Sequence, residues 1–223
     1  DLNDGAVIGS IISLTYRSGQ NLFNFGRSDY DNDTRTPVKH FDDAQNRLNV
    51  TWGGIANFSY KKGNNKFSFK NSYNRVLDDL YYTRRGYSNS SSVELDFRSS
   101  DIIEKSFYNT QLEGDHVLND KKWKLNWNAN YSTIGSSRPD LRTMEYSRPL
   151  NTGEPFMMVD RNTRRFFSDL KDNNYGASVN LTVPFKIKDE ASTLKLGFLG
   201  LQKIRDFNAR IFNYQTTPSA SEE

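Results

Sequence analysis

The chain has 223 residues, with 30 Lys and Arg against 27 Asp and Glu, 35% hydrophobic residues, 15 Phe, 12 Tyr, 3 Trp, two His and no Cys. Soluble domains carry roughly 45–50% apolar residues and disordered chains are poor in aromatic rings, so this composition fits neither. Without Cys there is no disulfide, thiolate zinc centre or thiol nucleophile, two His leave little for a histidine metal centre, and a formal net charge of +3 is too mild for a nucleic-acid footprint.

The first predicted element covers 6–16, where Ala6, Ile8, Ser10, Ile12, Leu14 and Tyr16 share one phase of a period-two pattern. Its apolar run around Ile11–Leu14 is far short of the roughly 18 residues a transmembrane helix needs, and the start, Asp1-Leu2-Asn3-Asp4, lacks the basic and apolar regions of a signal peptide. Over 47–61 the alternation is unbroken. Leu48, Val50, Trp52, Gly54, Ala56, Phe58 and Tyr60 fall on one side, and Asn49, Thr51, Gly53, Ile55, Asn57, Ser59 and Lys61 on the other. Weaker copies follow at 66–77 (Phe67, Phe69, Asn71, Tyr73) and 102–118 (Tyr108, Thr110, Leu112, Gly114, His116, Leu118). At 122–134 the pattern is strong again, with Trp123, Leu125, Trp127, Ala129 and Tyr131 against Lys124, Asn126, Asn128, Asn130 and Ser132. The segment 173–187 sets Tyr175, Ala177, Val179, Leu181, Val183 and Phe185 against Asn174, Gly176, Ser178, Asn180 and Thr182, and 193–205 closes the series with Leu194, Leu196, Phe198 and Gly200. The reading is all-β, with about seven or eight strands.

Short Gly/Asn/Asp turns are predicted at 62–66, 118–122 and 188–192, and long polar loops at 17–45, 78–100, 135–172 and 206–223. Short turns alternating with long loops predict an antiparallel up-and-down meander with unlike ends. A dry core would need many Val, Ile and Leu on the inner face and Lys and Glu on the outer. Here one row per strand is apolar with rings near its ends, as an aromatic girdle at two lipid interfaces requires, and the other is amide and hydroxyl, which suits a wet lumen. Hydrocarbon admits only helices or closed barrels, so the expected fold is part or all of a transmembrane β-barrel. On this reading Trp52, Tyr60, Trp123, Trp127, Tyr131 and Leu181 face lipid, and Asn49, Asn57, Asn126, Asn128, Asn130 and Asn180 face the lumen. The glycosylation patterns starting at Asn49, Asn57, Asn130 and Asn180 are then by-products of an Asn/Ser/Thr lining.

The remaining conspicuous residues carry little chemistry. His116 sits on the apolar phase beside a turn, which predicts an interfacial hydrogen bond rather than catalysis, and His40 reads as a solvated loop histidine. Asp42/Asp43 and Asp78/Asp79 are neighbours in sequence, so in regular strands their carboxylates cannot act together. Tyr81, Tyr82, Arg84, Arg85, Arg138, Arg142, Arg161, Arg164 and Arg165 fall in the predicted loops, where rings and guanidinium groups can stack on a ligand or pair with lipopolysaccharide; nucleic acid is the weaker reading.

The runs 53–60, 69–74 with Arg84-Arg85-Gly86, 111–116, 137–142, 174–181 and 203–210 together resemble the barrel of TonB-dependent outer-membrane receptors, in the group whose barrel follows a carboxypeptidase-like extension and a plug. The likeness spans about residues 45–212. It implies a middle portion of a barrel of about 22 strands in the outer membrane of a Gram-negative bacterium. It implies as partners a plug and further strands of the same protein, outer-membrane lipid and lipopolysaccharide, the TonB complex reached through segments not seen here, and a possible surface lipoprotein. It implies no cofactor, no metal and no enzymatic activity. The alternatives are a soluble lectin-like β-sandwich, a standalone eight-stranded outer-membrane barrel, and an outer-membrane enzyme, which would need a His, Ser and acid cluster that the sequence does not assemble.

Overall fold

The structure is a computed structural model and describes residues 5–118, 123–188 and 190–215. One antiparallel sheet takes in every strand: β1 (Ala6–Tyr30), β2 (Pro37–Lys62), β3 (Asn65–Ser88), β4 (Val93–Leu118), β5 (Trp123–Pro149), the two-residue β6 (Met157–Met158), β7 (Arg164–Ile187) and β8 (Glu190–Asn213). The order is β1-β2-β3-β4-β5-β7-β8, with β6 attached to β5, and each long strand pairs with the next in the chain. This is the predicted up-and-down meander. It is an open sheet, however, and not a closed barrel: β1 and β8 are free edges among the described residues.

The long strands have 24–27 residues, far beyond the usual 5–6. They run through most of the predicted loops, since 17–30, 37–45, 78–88, 93–100, 135–149, 164–172 and 206–213 are strand. The physical reason is in the residues. Apolar–polar alternation marks a strand only where its two faces meet different surroundings, and these extensions place charged residues on both sides, with scattered apolar ones such as Phe23 and Phe25 on β1 and Phe207 and Phe212 on β8. Their pairing is held by charges placed opposite one another, such as Asp43 with Arg84, Glu94 with Arg148 and Asp172 with Arg205. The true connections are 31–36, 63–64, 89–92 and 150–163; the turn predicted at 118–122 lies outside the described residues apart from Leu118, as does residue 189 of the next. Gly63, at φ +54°, occupies the first central position of the two-residue turn, as a type II′ hairpin needs.

Register sorts the side chains into two faces, because partners in an antiparallel pair project to the same side. The apolar phase of every predicted strand lands on one of them, the ring face, and the amide phase on the other, the amide face. The edge strands blur the division: Ile11 on β1 and Leu199 and Leu201 on β8 are apolar residues on the amide face. At Ser137-Arg138-Pro139 the alternation slips, since β5 gains a bulge between Arg138 and Leu141 where Pro139 has no N–H for the ladder.

Among the described residues nothing covers either face. The accessible surface is 16085 Å², against the roughly 10,400 Å² of a compact monomer of this mass. Ala6 is the one buried apolar residue among those described, while Leu14 is 85% exposed and Phe198 73% exposed. A single layer with an uncovered apolar face has no core of its own. No helix is long and apolar enough to cross a membrane.

Candidate functional site: a ringed apolar belt under a charged extension

The ring face carries two aromatic rows. Toward the 31–36 end, six successive long strands each give one ring: Tyr16, Trp52, Tyr73, Tyr108, Tyr131 and Tyr175. Tyr16 is opposite Trp52, Tyr73 opposite Tyr108 and Tyr131 opposite Tyr175, with a two-residue stagger at the other steps, as tilted strands demand. The rings touch along the row, at centroid separations of 5.1 Å for Trp52–Tyr73, 6.5 Å for Tyr108–Tyr131 and 5.0 Å for Tyr131–Tyr175.

The second row lies near the short turns. Tyr60 is opposite Phe67, whose ring is 5.0 Å from His116 and 6.4 Å from Trp127. Trp127 Nε1 donates to His116 Nε2 at 3.0 Å, and His116 Nδ1 lies 2.7 Å from Asn65 Oδ1. His116 is thus a hydrogen-bonding residue of the ring face. Trp127 can lie flat there because Gly114 faces it, and a Cβ at Gly114 would sit 2.2 Å from the indole nitrogen. Between the rows, Phe58, Ala56 and Gly54 on β2 and Val179 and Ala177 on β7 are aliphatic or small apart from one ring. Trp52 and Tyr60 are eight residues apart, about 26 Å along the strand, which is about 20 Å along a membrane normal at a tilt of about 40° and slightly less than the roughly 25 Å apolar band of an outer-membrane barrel.

The amide face behind this belt holds Asn49, Asn57, Asn126, Asn128, Asn130 and Asn180 on one side of the sheet, as predicted. Asn126 pairs with Asn180 in register, and its amide donates to Asp115. Glycines make room for several amides: a Cβ at Gly176 would meet Asn130 Oδ1, and one at Gly197 would meet Asn180 Oδ1. The sequence understates the charge here, because Lys61, Lys66, Lys70, Glu113 and Asp115 share this face. Trp52, Tyr60, Trp123, Trp127, Tyr131 and Leu181 all occupy the ring face.

Beyond the Tyr/Trp row the chemistry changes to cross-strand ion pairs. Arg84 grips Asp43 with Nε and Nη2, both at 2.8 Å, and Asp43 is buried. Arg47 holds Asp78 at 2.7 and 2.5 Å, Arg205 holds Asp172 at 2.7 and 2.5 Å, and Lys203 adds a contact to Asp172 at 3.3 Å. These hydrogen bonds hold the carboxyls of Asp43 and Asp78 below the ordinary carboxylate value, and Arg205 lowers that of Asp172 to about 2. Asp101, beside the β5 bulge, goes the other way. Burial raises its pKa, and Arg138 Nε, 3.1 Å from Oδ1, pairs with it by charge without aligned hydrogen-bond geometry.

The nine predicted loop ligand residues do not form one site. Tyr81, Tyr82, Arg84 and Arg85 belong to β3, Arg138 and Arg142 to β5, and Arg164 and Arg165 to β7; only Arg161 lies in a connection, in the 3-10 turn Asp160–Asn162. Neighbours in a strand project oppositely. Tyr82, Arg84, Arg138 and Arg164 are therefore on the amide face, and Tyr81, Arg85, Arg142 and Arg165 on the ring face. Several are already committed: Arg85 and Arg98 share Asp96, and Arg165 and Arg142 share Asp140. His40 is likewise a strand residue, within 2.8 Å of Ser28 Oγ through Nδ1. Asp42 and Asp43 project to opposite faces, and so do Asp78 and Asp79. Among the described residues no three His, Cys, Asp or Glu side chains gather to hold a metal ion.

No protein-family model and no curated protein sequence matches the chain.

Proposed function

We propose that this sheet is a stretch of transmembrane β-barrel wall in a bacterial outer membrane, with the ring face against lipid and the amide face toward a hydrated lumen. The observation that carries the reading is the pair of aromatic rows on the uncovered face, eight residues apart on β2 and so about 20 Å apart along the membrane normal for strands tilted by about 40°, backed by an amide face whose polar groups bond to one another. A soluble sandwich would need a second sheet over the ring face, and the described residues form one sheet. A standalone barrel from these strands is disfavoured by direction. β1 and β8 both run away from the short turns, so pairing them would join parallel strands, whereas an odd number of further strands between them keeps the antiparallel alternation.

Within that class, the proposed protein is a TonB-dependent receptor that imports a bulky solute such as a chelated metal, an oligosaccharide or a peptide. A wide barrel accommodates these seven long strands as part of its wall and leaves room for a plug. The wall does no chemistry. Its work is to seat the strands by their rings, to keep the lumen wet, and to extend the strands beyond the membrane as a funnel braced by Arg–carboxylate pairs.

The chain has no Cys, so single cysteines report cleanly. In outer membranes carrying the complete protein, cysteines at Asn57 and Ser59 should react with a water-soluble maleimide and those at Ala56 and Phe58 should not. Equal labelling of both sets would refute the membrane assignment. Uptake that persists without inner-membrane energisation would refute the TonB-dependent part alone.

A further inference from the structure

Charge is divided unequally between the two faces. Along the strands the ring face carries nine Lys and Arg against nine Asp and Glu, counting Asp140 with its partners Arg142 and Arg165, and the amide face sixteen against eight. The strands' surplus positive charge therefore points one way. Screening limits cooperation to about 8 Å at physiological salt, so what matters is where cations crowd.

They crowd on the amide face near the short turns. Lys61 is placed directly opposite Lys66, a like-charge pair with Cβ atoms about 5 Å apart that destabilises a sheet unless an anion joins it. Lys124 and Lys195 flank Thr182 at the same end. Among the described residues few acids reach them: Glu113 binds Lys70 at 2.6 Å, and Asp115, the register partner of Lys66, also accepts from Asn126, so one carboxylate faces two ammonium groups. Lys66 and Lys70 line a shallow hollow of about 310 Å³ together with Asn57, Ser59 and Ser68, and Ile11 gives it an apolar side. Gly9 keeps it open, since a Cβ there would stand 2.8 Å from Ser59 Oγ. Hydroxyl and amide groups beside an ammonium group can hold one negative group of an anion.

We propose that the amide face selects a polyanionic solute and that Lys61 and Lys66 anchor one of its negative groups. This rests on the reading of that face as lumen. A low-dielectric wall concentrates the field of its charges into the lumen and raises the local concentration of an anion there.

The test uses the complete protein in detergent, with fluorescent hexagalacturonate as the polyanion and maltohexaose as its neutral counterpart. Hexagalacturonate should bind more weakly as salt rises. The double variant Lys61→Gln/Lys66→Gln should weaken its binding by about tenfold and leave maltohexaose unchanged, while Lys61→Arg/Lys66→Arg should retain it. No binding at low salt, or equal binding by wild type and the Gln variant, would overturn the proposal. A Gln variant that loses thermal stability while binding is unchanged would assign the lysines to an acidic segment inside the barrel and overturn it too. Maleimide labelling of Asn57 and Ser59 cysteines, run in parallel, separates this failure from failure of the lumen reading.

Discussion

The same seven long strands follow two different codes along their length. Between the aromatic rows, one face is largely apolar and the other amide-rich, and side-chain links between neighbours, such as Lys70–Glu113, lie on the amide face. Past the Tyr/Trp row, both faces are charged, and side chains bridge neighbours through pairs such as Asp43–Arg84 and Asp172–Arg205. The difference is the one the proposed membrane placement requires. A surface facing hydrocarbon cannot carry ion pairs, and a strand with water on both sides gains nothing from a greasy row but is kept paired by cross-strand bonds.

Substitutions sharpen this contrast. Val179→Arg, midway between the rows, should cost about 2–4 kcal/mol in a folding titration of the complete protein in lipid, and Asn128→Arg on the other face much less. Equal costs would erase the distinction between the faces. In the charged segment, Arg84→Ala leaves the buried carboxylate of Asp43 without its partner, and a loss of about 1–3 kcal/mol is expected in urea unfolding. Removing both groups, as Asp43→Asn with Arg84→Gln, should cost less than the single change.

Acid should act on the charged segment and leave the belt intact. The carboxyl of Asp172 has its pKa lowered from 3.8 to about 2, so its ion pair stabilises the folded state fully above the unfolded value and less as pH falls from about 4 toward 2. The unfolding midpoint should therefore fall across that window in the wild type, and the fall should be smaller in Asp172→Asn. The weakest effect belongs to Arg85→Ala. Its side chain is exposed and Arg98 still holds Asp96, so about 0.2–1 kcal/mol is expected. A larger loss would mean that the ring-face side of the extension is packed against something.

The belt was legible in the sequence and the extension was not. Leu48 to Lys61 alternates by polarity, a contrast that its two unlike faces make visible in the sequence. Asp78 to Ser88 is an equally regular strand, yet Tyr81, Tyr82, Arg84 and Arg85 give no such contrast and read as a loop. The signal available there was pairwise, an Arg on one strand at the register position of an Asp on the next, and it appears only once the register is known. The scattering of the predicted ligand residues over both faces has the same origin. Pro139 was a readable mark of the β5 bulge, because a residue without an N–H must break the ladder.

All three tryptophans, Trp52, Trp123 and Trp127, lie on the ring face, which makes their fluorescence a direct reporter of what that face touches. In the complete protein reconstituted into bilayers of lipid brominated along its acyl chains, the account predicts strong quenching of this emission and little additional quenching by aqueous iodide. Emission indifferent to the brominated chains but quenched by iodide would contradict it.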